Sequence, residues 1–345
     1  MTTKVLIVYT GGTIGMKQDS ESLALVPFNF NQILQEVPEL RKFNLSIDAY
    51  SFDPAIDSSD VRPQFWVELA ELIRDSYSKY DGFVVLHGTD TMAFTASMLS
   101  FMLENLEKPV ILTGSQLPIG VLRTDGRENL ISSIEIAASQ RPDGRPCVPE
   151  VCVFFDNELY RGNRTYKYSA EFFNAFKSPN YPLLAEAGIH INFNEPAIRF
   201  PESWGRPLRI STKLDTRVGI LKLYPGMPRQ YVDTVLSTKG MRALVIETFG
   251  CGNAPGEPWL LDKLRQAVDE GIVVVNVTQC AAGSVDMDAY ATGMTLRNIG
   301  IISAYDSTFE SALTKLYYLL GKYDDNETVK RKMSENIRGE FSKKQ

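Results

Sequence analysis

Small hydroxyls, glycines and carboxylates follow three apolar runs of strand character. Lys4–Tyr9 (KVLIVY) leads into Thr10-Gly11-Gly12-Thr13-Ile14-Gly15. Gly82–Leu86 (GFVVL) leads into His87-Gly88-Thr89-Asp90-Thr91, and Val110–Thr113 (VILT) into Gly114-Ser115-Gln116. Asp57-Ser58-Ser59-Asp60 lies in another loop before a helical stretch. In open parallel sheets, ligands bind at the carboxyl ends of strands, where such loops gather. Paired glycines at 11 and 12 permit a turn with positive φ and close approach of a ligand to the backbone. A hydroxyl such as that of Thr13, projecting beside turn amides, can act as a nucleophile with an oxyanion site at hand. A tight turn in which Thr13 merely satisfies backbone groups fits the same spacing. A phosphate loop does not: neither G-x-x-x-x-G-K-[ST] nor G-x-G-x-x-G is present there. Thr89 or Asp90 reads equally as the N-cap of the next helix, a role compatible with catalysis. Lys167, in Tyr160-Arg161-Gly162-Asn163-Arg164-Thr165-Tyr166-Lys167, reads on its own as a surface lysine.

Scarcity narrows the chemistry further. The chain has two histidines, His87 and His190. A Ser-His-Asp triad needs one in the right place, and a histidine-rich metal site needs more. Hydroxyls, carboxylates and lysine are left to do the work, with no metal and no cofactor; His87 is expected to pack or hydrogen-bond at its strand end. The four cysteines, Cys147, Cys152, Cys251 and Cys280, form no C-x-x-C pair, which argues against a zinc ribbon or a disulfide framework and for free thiols in a reducing compartment. The formal charge of -6 makes nucleic acid a poor partner. MTTKVLIVYTGGT reads as a buried first strand rather than a signal peptide, and no apolar stretch reaches membrane-spanning length. A cytoplasmic protein with no membrane partner is the expectation.

These residues need a scaffold that brings distant loops together. With 345 residues, two domains are the natural expectation. Continuous apolar runs at 4–9, 82–86, 110–113 and 151–155 alternate with helical periodicity at 62–77, 91–103 and 129–138. That order predicts an α/β fold with a parallel sheet covered on both faces. From 191 to 213 the periodicity fails among Pro196, Pro201 and Pro207, and this segment reads as a linker between domains 1–190 and 214–345. Strands at 218–223, 243–247 and 272–277 then alternate with helices at 229–236, 259–268, 307–320 and 327–337.

Taken together, TGGTIG at 10–15 and HGTDT at 87–91 resemble the paired signatures of the bacterial-type asparaginase family. Further matches are Asp57-Ser58-Ser59-Asp60, LYRGNRTYK at 159–167, Gly252-Asn253-Ala254-Pro255, Thr278-Gln279-Cys280 and Tyr290-Ala291-Thr292-Gly293. They cover nearly the whole length and are most similar to the cytoplasmic type I branch. The resemblance implies a larger N-terminal α/β domain with a parallel or mixed sheet and a smaller C-terminal one. It implies a homodimer or a dimer-of-dimers tetramer, with active sites between the N-domain of one chain and the C-domain of another. It implies hydrolysis of L-asparagine without a cofactor, with a weak glutaminase side activity. Thr13 matches the first catalytic threonine, and Thr89, Asp90 and Lys167 match the second threonine triad. Asp57, Ser58 and Ser59 match the segment that binds the substrate's α-carboxylate and α-amine, with Thr89 and Asp90; Ser115 and Asn253 complete the expected substrate contacts.

Two departures stand out. Many members carry a tyrosine in the loop after the first threonine, but residues 16–26 here contain none. Tyr290, resembling a tyrosine some relatives use from the C-terminal domain, is the candidate in its place. Some type I members bind effector asparagine beside an arginine just before the GNAP segment. Glu247 occupies that position, which argues against the same effector site. Three rival readings share parts of the pattern. They are the amidotransferase relative acting on charged transfer RNA, a two-domain amino-acid sensor without turnover, and a glycine-loop dehydrogenase. The acidic chain disfavours the first, and the missing dinucleotide fingerprint disfavours the last.

Overall fold

The computed structural model describes residues 2–18, 25–27 and 37–342. The chain divides into two compact units, Met1–Ile210 and Ser211–Gln345. The first is built on an eight-stranded mixed sheet. Its strands are β1 (Lys4–Tyr9), β2 (Ser46–Ser51), β3 (Gly82–Leu86), β4 (Val110–Thr113), β5 (Val151–Phe155), β6 (Glu158–Arg161), β7 (Ala185–Ala187) and β8 (Ile191–Phe193). They lie in the order β8-β7-β6-β5-β4-β3-β1-β2. β1 to β5 pair in parallel, while β5 to β8 pair antiparallel, so the sheet is mixed rather than wholly parallel.

Strand composition explains the layering. Val5, Ile7 and Tyr9 of β1 join a core with Leu130, Ile134 and Ile136 of α3 (Gly126–Ala138). Leu6 and Val8 point the other way, as a strand's two-residue period requires, and are equally buried. α1 (Pro63–Ser76) and α2 (Met92–Met102) pack on each other, and α2 packs against β4 and β5. α1 begins with Pro63 at its first position, where the missing N–H costs nothing. α2 is buried along most of its length, which is why its sequence reads as almost uniformly apolar.

The segment expected to link the domains folds largely with the first unit. Ile191–Phe193 forms β8, and Arg209–Ile210 pairs antiparallel with Leu103–Glu104. Main-chain pairing, rather than side-chain periodicity, orders it, so a hydrophobic pattern could not report it.

The second unit carries a four-stranded parallel sheet in the order β9-β10-β11-β12. Its strands are β9 (Val218–Lys222), β10 (Ala243–Thr248), β11 (Val273–Thr278) and β12 (Ile302–Ser303). Its helices are α4 (Arg229–Leu236), α5 (Pro258–Asp269), α6 (Ala291–Ile299), α7 (Phe309–Lys322) and α8 (Asn326–Met333). Leu221, Leu244, Ile246 and Val274 pack against Val232, Leu260, Leu264 and Leu296 from the helices. No helix among the described residues is long and apolar enough to cross a membrane.

Candidate active site

The hydroxyl-rich loops of the first unit pack together through backbone contacts. Gly12 has φ 87°, and a Cβ added there would fall 2.4 Å from the Gly88 nitrogen. The turn after β1 and the turn after β3 therefore touch main chain to main chain, a contact any side chain at Gly12 would block. A Cβ added at Gly11 would fall 2.1 Å from the Ile56 carbonyl oxygen, and the Ile56 N–H donates to the Thr10 carbonyl at 2.8 Å, which seats the 57–60 loop on the same turn. Ser58 lies against Gly88, and the Thr91 hydroxyl donates to the Ser58 carbonyl at 2.6 Å.

Thr13 opens a short 3-10 helix, Thr13–Gly15, and is half-buried. Its hydroxyl has no hydrogen-bond partner among the described residues, while the Tyr9 phenol donates to the Gly15 carbonyl at 3.1 Å and pins the turn's far end. Burial pushes the Tyr9 phenol up to about 12, so it stays a donor. Part of the tyrosine-free loop beyond the turn, residues 19–24, lies outside the described residues.

On the other turn, Lys167 Nζ donates to Thr89 Oγ1 at 2.8 Å and to Asp90 Oδ1 at 2.7 Å. An ammonium with a hydroxyl and a carboxylate as acceptors is a donor, not a base. Asp90 is well exposed, leaving its second oxygen open to a ligand. Asp57 is exposed too, and its Oδ1 accepts from the Ser59 backbone N–H and hydroxyl, both at 2.9 Å. The Ser59 backbone N–H, then its hydroxyl, hold the Asp57 carboxyl below the usual range. Ser115 is buried and donates to the Leu117 carbonyl.

Lys167 owes its place to a buried network behind it. The Arg161 guanidinium holds Glu150 through two bonds, at 2.6 and 3.0 Å, and also donates to the Ala197 carbonyl. Arg161 and Arg164 both lie over the Tyr181 ring. The Thr165 hydroxyl closes the turn onto the Arg161 carbonyl at 2.7 Å. The charged segment before Lys167 is thus an internal clamp, not a surface patch.

His87 is wholly buried, and desolvation pushes its imidazole down to about 4. Nδ1 lies 2.7 Å from the Gly88 carbonyl, which can only accept, so Nδ1 carries the proton. Nε2 then accepts from Thr95, whose oxygen accepts from Trp66 Nε1. His87 is a neutral strut beneath the turn.

Gln116 was read only as part of the Gly114-Ser115-Gln116 strand-end loop and was given no role of its own. Its backbone N–H is held by the Asp125 carboxylate at 2.9 and 3.1 Å. Its side-chain Nε2 donates to the Phe172 carbonyl at 3.1 Å, and its Oε1 lies 3.5 Å from Thr89 Oγ1. Its place beside Ser115 at a strand end was the one available signal.

Asn253 and Tyr290 lie in the second unit, and the first of them is tied to α6. The Thr292 hydroxyl donates to Asn253 Oδ1 at 2.9 Å. Tyr290 is the N-cap residue of α6 and is 59% exposed, its phenol without a partner among the described residues. Glu247, near the end of β10, lies 3.5 Å from Lys222. Among the described residues, no group of three or more His, Cys, Asp or Glu is placed to hold a metal ion.

Comparison with known proteins covers both units. Residues 4–199 match the asparaginase N-terminal domain, and residues 217–333 match the glutaminase/asparaginase C-terminal domain. The chain is 45% identical over 340 residues to L-asparaginase 1 of Escherichia coli (strain K12), covering 98% of each chain. It is 33% identical over 344 residues to a glutamyl-tRNA(Gln) amidotransferase component of Methanobrevibacter smithii, covering 99% of this chain and 77% of that one. The crystal structure of L-asparaginase I from Vibrio cholerae superposes with a TM-score of 0.89 at 42% identity, covering 99% of this chain and 100% of that one. With matched domains in both units and these full-length relatives, the chain belongs to the asparaginase family of hydrolytic amidases.

Proposed function

We propose that this protein is a cytoplasmic L-asparaginase that converts L-asparagine and water to L-aspartate and ammonia. The observation that carries the reading is the Lys167 ammonium bridging Thr89 and Asp90 on a turn packed against the Gly12-Thr13 turn. Near-identical length and 45% identity to L-asparaginase 1 support the same substrate.

Thr13 Oγ is the nucleophile. It bonds to the side-chain amide carbon while backbone amides of the strand-end loops, that of Thr89 among them, hold the oxyanion. The C–N bond then breaks, and the hydroxyl's proton leaves with ammonia. Water hydrolyses the resulting β-aspartyl ester and restores Thr13. Splitting the reaction this way replaces one difficult step with two easier ones. Lys167 orients Thr89 and offsets negative charge rather than removing a proton. Asp90 and Asp57, with Ser58, Ser59, Ser115 and Asn253, bind the substrate's ammonium and carboxylate. Tyr290 is the candidate partner of the Thr13 hydroxyl. Active sites complete themselves in a homodimer or a tetramer of two such dimers. L-Glutamine is turned over weakly, since one methylene alone separates substrates by about 1–3 kcal/mol.

Ammonia release from L-asparagine tests the reading. Wild type releases ammonia; Thr13→Ala and Thr89→Val each lose it while keeping the wild-type unfolding midpoint. Near-normal turnover in both variants rejects the assignment.

A further inference from the structure

We infer that Gln116 is a positioning residue that sets the direction of the Thr89 O–H bond; this rests on the reading of Thr89 given above. A glutamine amide has two unlike ends, and its neighbours decide which faces where. The Phe172 carbonyl can only accept, and Nε2 lies 3.1 Å from it. That contact assigns the nitrogen to Phe172 and turns Oε1 toward Thr89, 3.5 Å away. An amide oxygen can only accept, so in this pair the Thr89 hydroxyl is the donor.

The remaining capacity of Thr89 follows by elimination. Its oxygen has two lone pairs. One accepts from the Lys167 ammonium at 2.8 Å. With its proton aimed at Gln116, Thr89 keeps one lone pair for a ligand or a water. Gln116 thus makes Thr89 an acceptor in the site, where a freely rotating hydroxyl would present donor and acceptor at random. The 3.5 Å separation is at the long end, as hydrogen bonds in unliganded sites often are before the reacting complex forms.

The fold holds Gln116 at both ends, as a positioning role needs. Its backbone is fixed by Asp125, whose carboxylate also accepts from the Leu117 N–H and from Asn129 Nδ2. Asn129 in turn donates to the Gly114 carbonyl at 3.0 Å, so α3 grips the whole strand-end loop. The amide end is fixed by Phe172, on a loop that otherwise presents Phe172 and Tyr168 to solvent.

Two substitutions separate the acceptor from mere loop-holding. Gln116→Met keeps length and volume but loses both polar ends. Gln116→Glu keeps an oxygen acceptor for Thr89 but loses the donor to Phe172. The inference expects Gln116→Met to lower kcat about tenfold, with KM and the affinity for L-aspartate moving less than about twofold. It expects Gln116→Glu to recover most of that loss. Wild-type kcat in Gln116→Met overturns the inference, and so does a Gln116→Glu as impaired as Gln116→Met, which would make the Phe172 tie the important one. If Gln116→Met unfolds, the Gln116→Glu comparison with wild type decides alone. Turnover by Thr89→Val would instead defeat the underlying mechanism, whatever Gln116 does.

Discussion

Among the lysine–carboxylate pairs of the described residues, two have nearly equal length and very different surroundings. In the first unit, Lys167 and Asp90 meet at 2.7 Å with side chains 19% and 62% exposed. In the second, Lys315 and Glu340 meet at 2.6 Å with side chains 2% and 0% exposed. Lys315 spends its remaining protons on the Met333 and Glu335 carbonyls and lies over the Phe341 ring. Glu340 accepts from the backbone N–H groups of Ile337 and Arg338. Every polar capacity of that pair is used inside the protein, which makes it a staple for the C-terminal segment. Lys167 and Asp90, by contrast, leave the second Asp90 oxygen without a partner among the described residues, on a side chain that is mostly exposed. The lesson is that distance does not distinguish a structural ion pair from a functional one. Burial and leftover hydrogen-bonding capacity do.

The largest expected effect is on the buried side of the comparison. Lys315→Met strands the Glu340 carboxylate and should cost about 3–5 kcal/mol in urea unfolding. A Lys315→Met/Glu340→Leu double variant should regain only part of it: both charges leave together, but the Ile337 and Arg338 N–H groups lose their acceptor. A Lys315→Met protein as stable as wild type would erase the proposed contrast.

His87 extends the contrast to a buried group that stays neutral. Unfolded, its imidazole titrates near 6.5; folded, at about 4. Between those values the unfolded chain binds a proton that the folded chain refuses. Stability is therefore fully present above pH 6.5 and falls as pH drops toward 4, by about 3 kcal/mol from this group. Urea unfolding of wild type and His87→Gln across that window checks it: the variant should show a flatter slope. Equal slopes would mean that His87 is protonated in the folded state.

On the exposed side, effects on binding exceed effects on stability. Asp57→Asn removes a charge from an exposed carboxylate and should raise KM about tenfold, near 1.4 kcal/mol, with kcat little changed. Steady-state kinetics with L-asparagine checks that division, and a kcat loss without a KM change would assign Asp57 to the chemical step instead. Smallest of all, Asp90→Asn should shift unfolding free energy by less than about 1 kcal/mol, because a solvent-exposed pair contributes little. A loss as large as that of Lys315→Met would make the two pairs equivalent.

How much could be read beforehand depended on the same physics. β1, β3, β4 and β5 were legible to the residue, because parallel strands buried on both faces are continuous apolar runs. β2 was not: it is an edge strand, Ser46–Ser51, with its last four residues exposed and no hydrophobic pattern to betray it. The short antiparallel strands β6 to β8 and the helix α6, with Gly293 in its interior, escaped for similar reasons. In the site, the loops after β1, β3 and β4 announced themselves by composition. The Lys167–Thr89 contact did not, since it spans 78 residues of sequence and no local pattern encodes it. Only the family resemblance brought Lys167 forward. Gln116 stayed hidden because its role lies in which way an amide faces, and that is set by a carbonyl 56 residues away.

Ammonia release by Lys167→Met, read beside its urea unfolding midpoint, probes the central claim most directly. Turnover of L-asparagine should fall by about 10²–10⁴-fold with the midpoint essentially that of wild type. Retained turnover, or a loss of activity matched by a collapse in stability, would contradict the assignment of this lysine to the reaction.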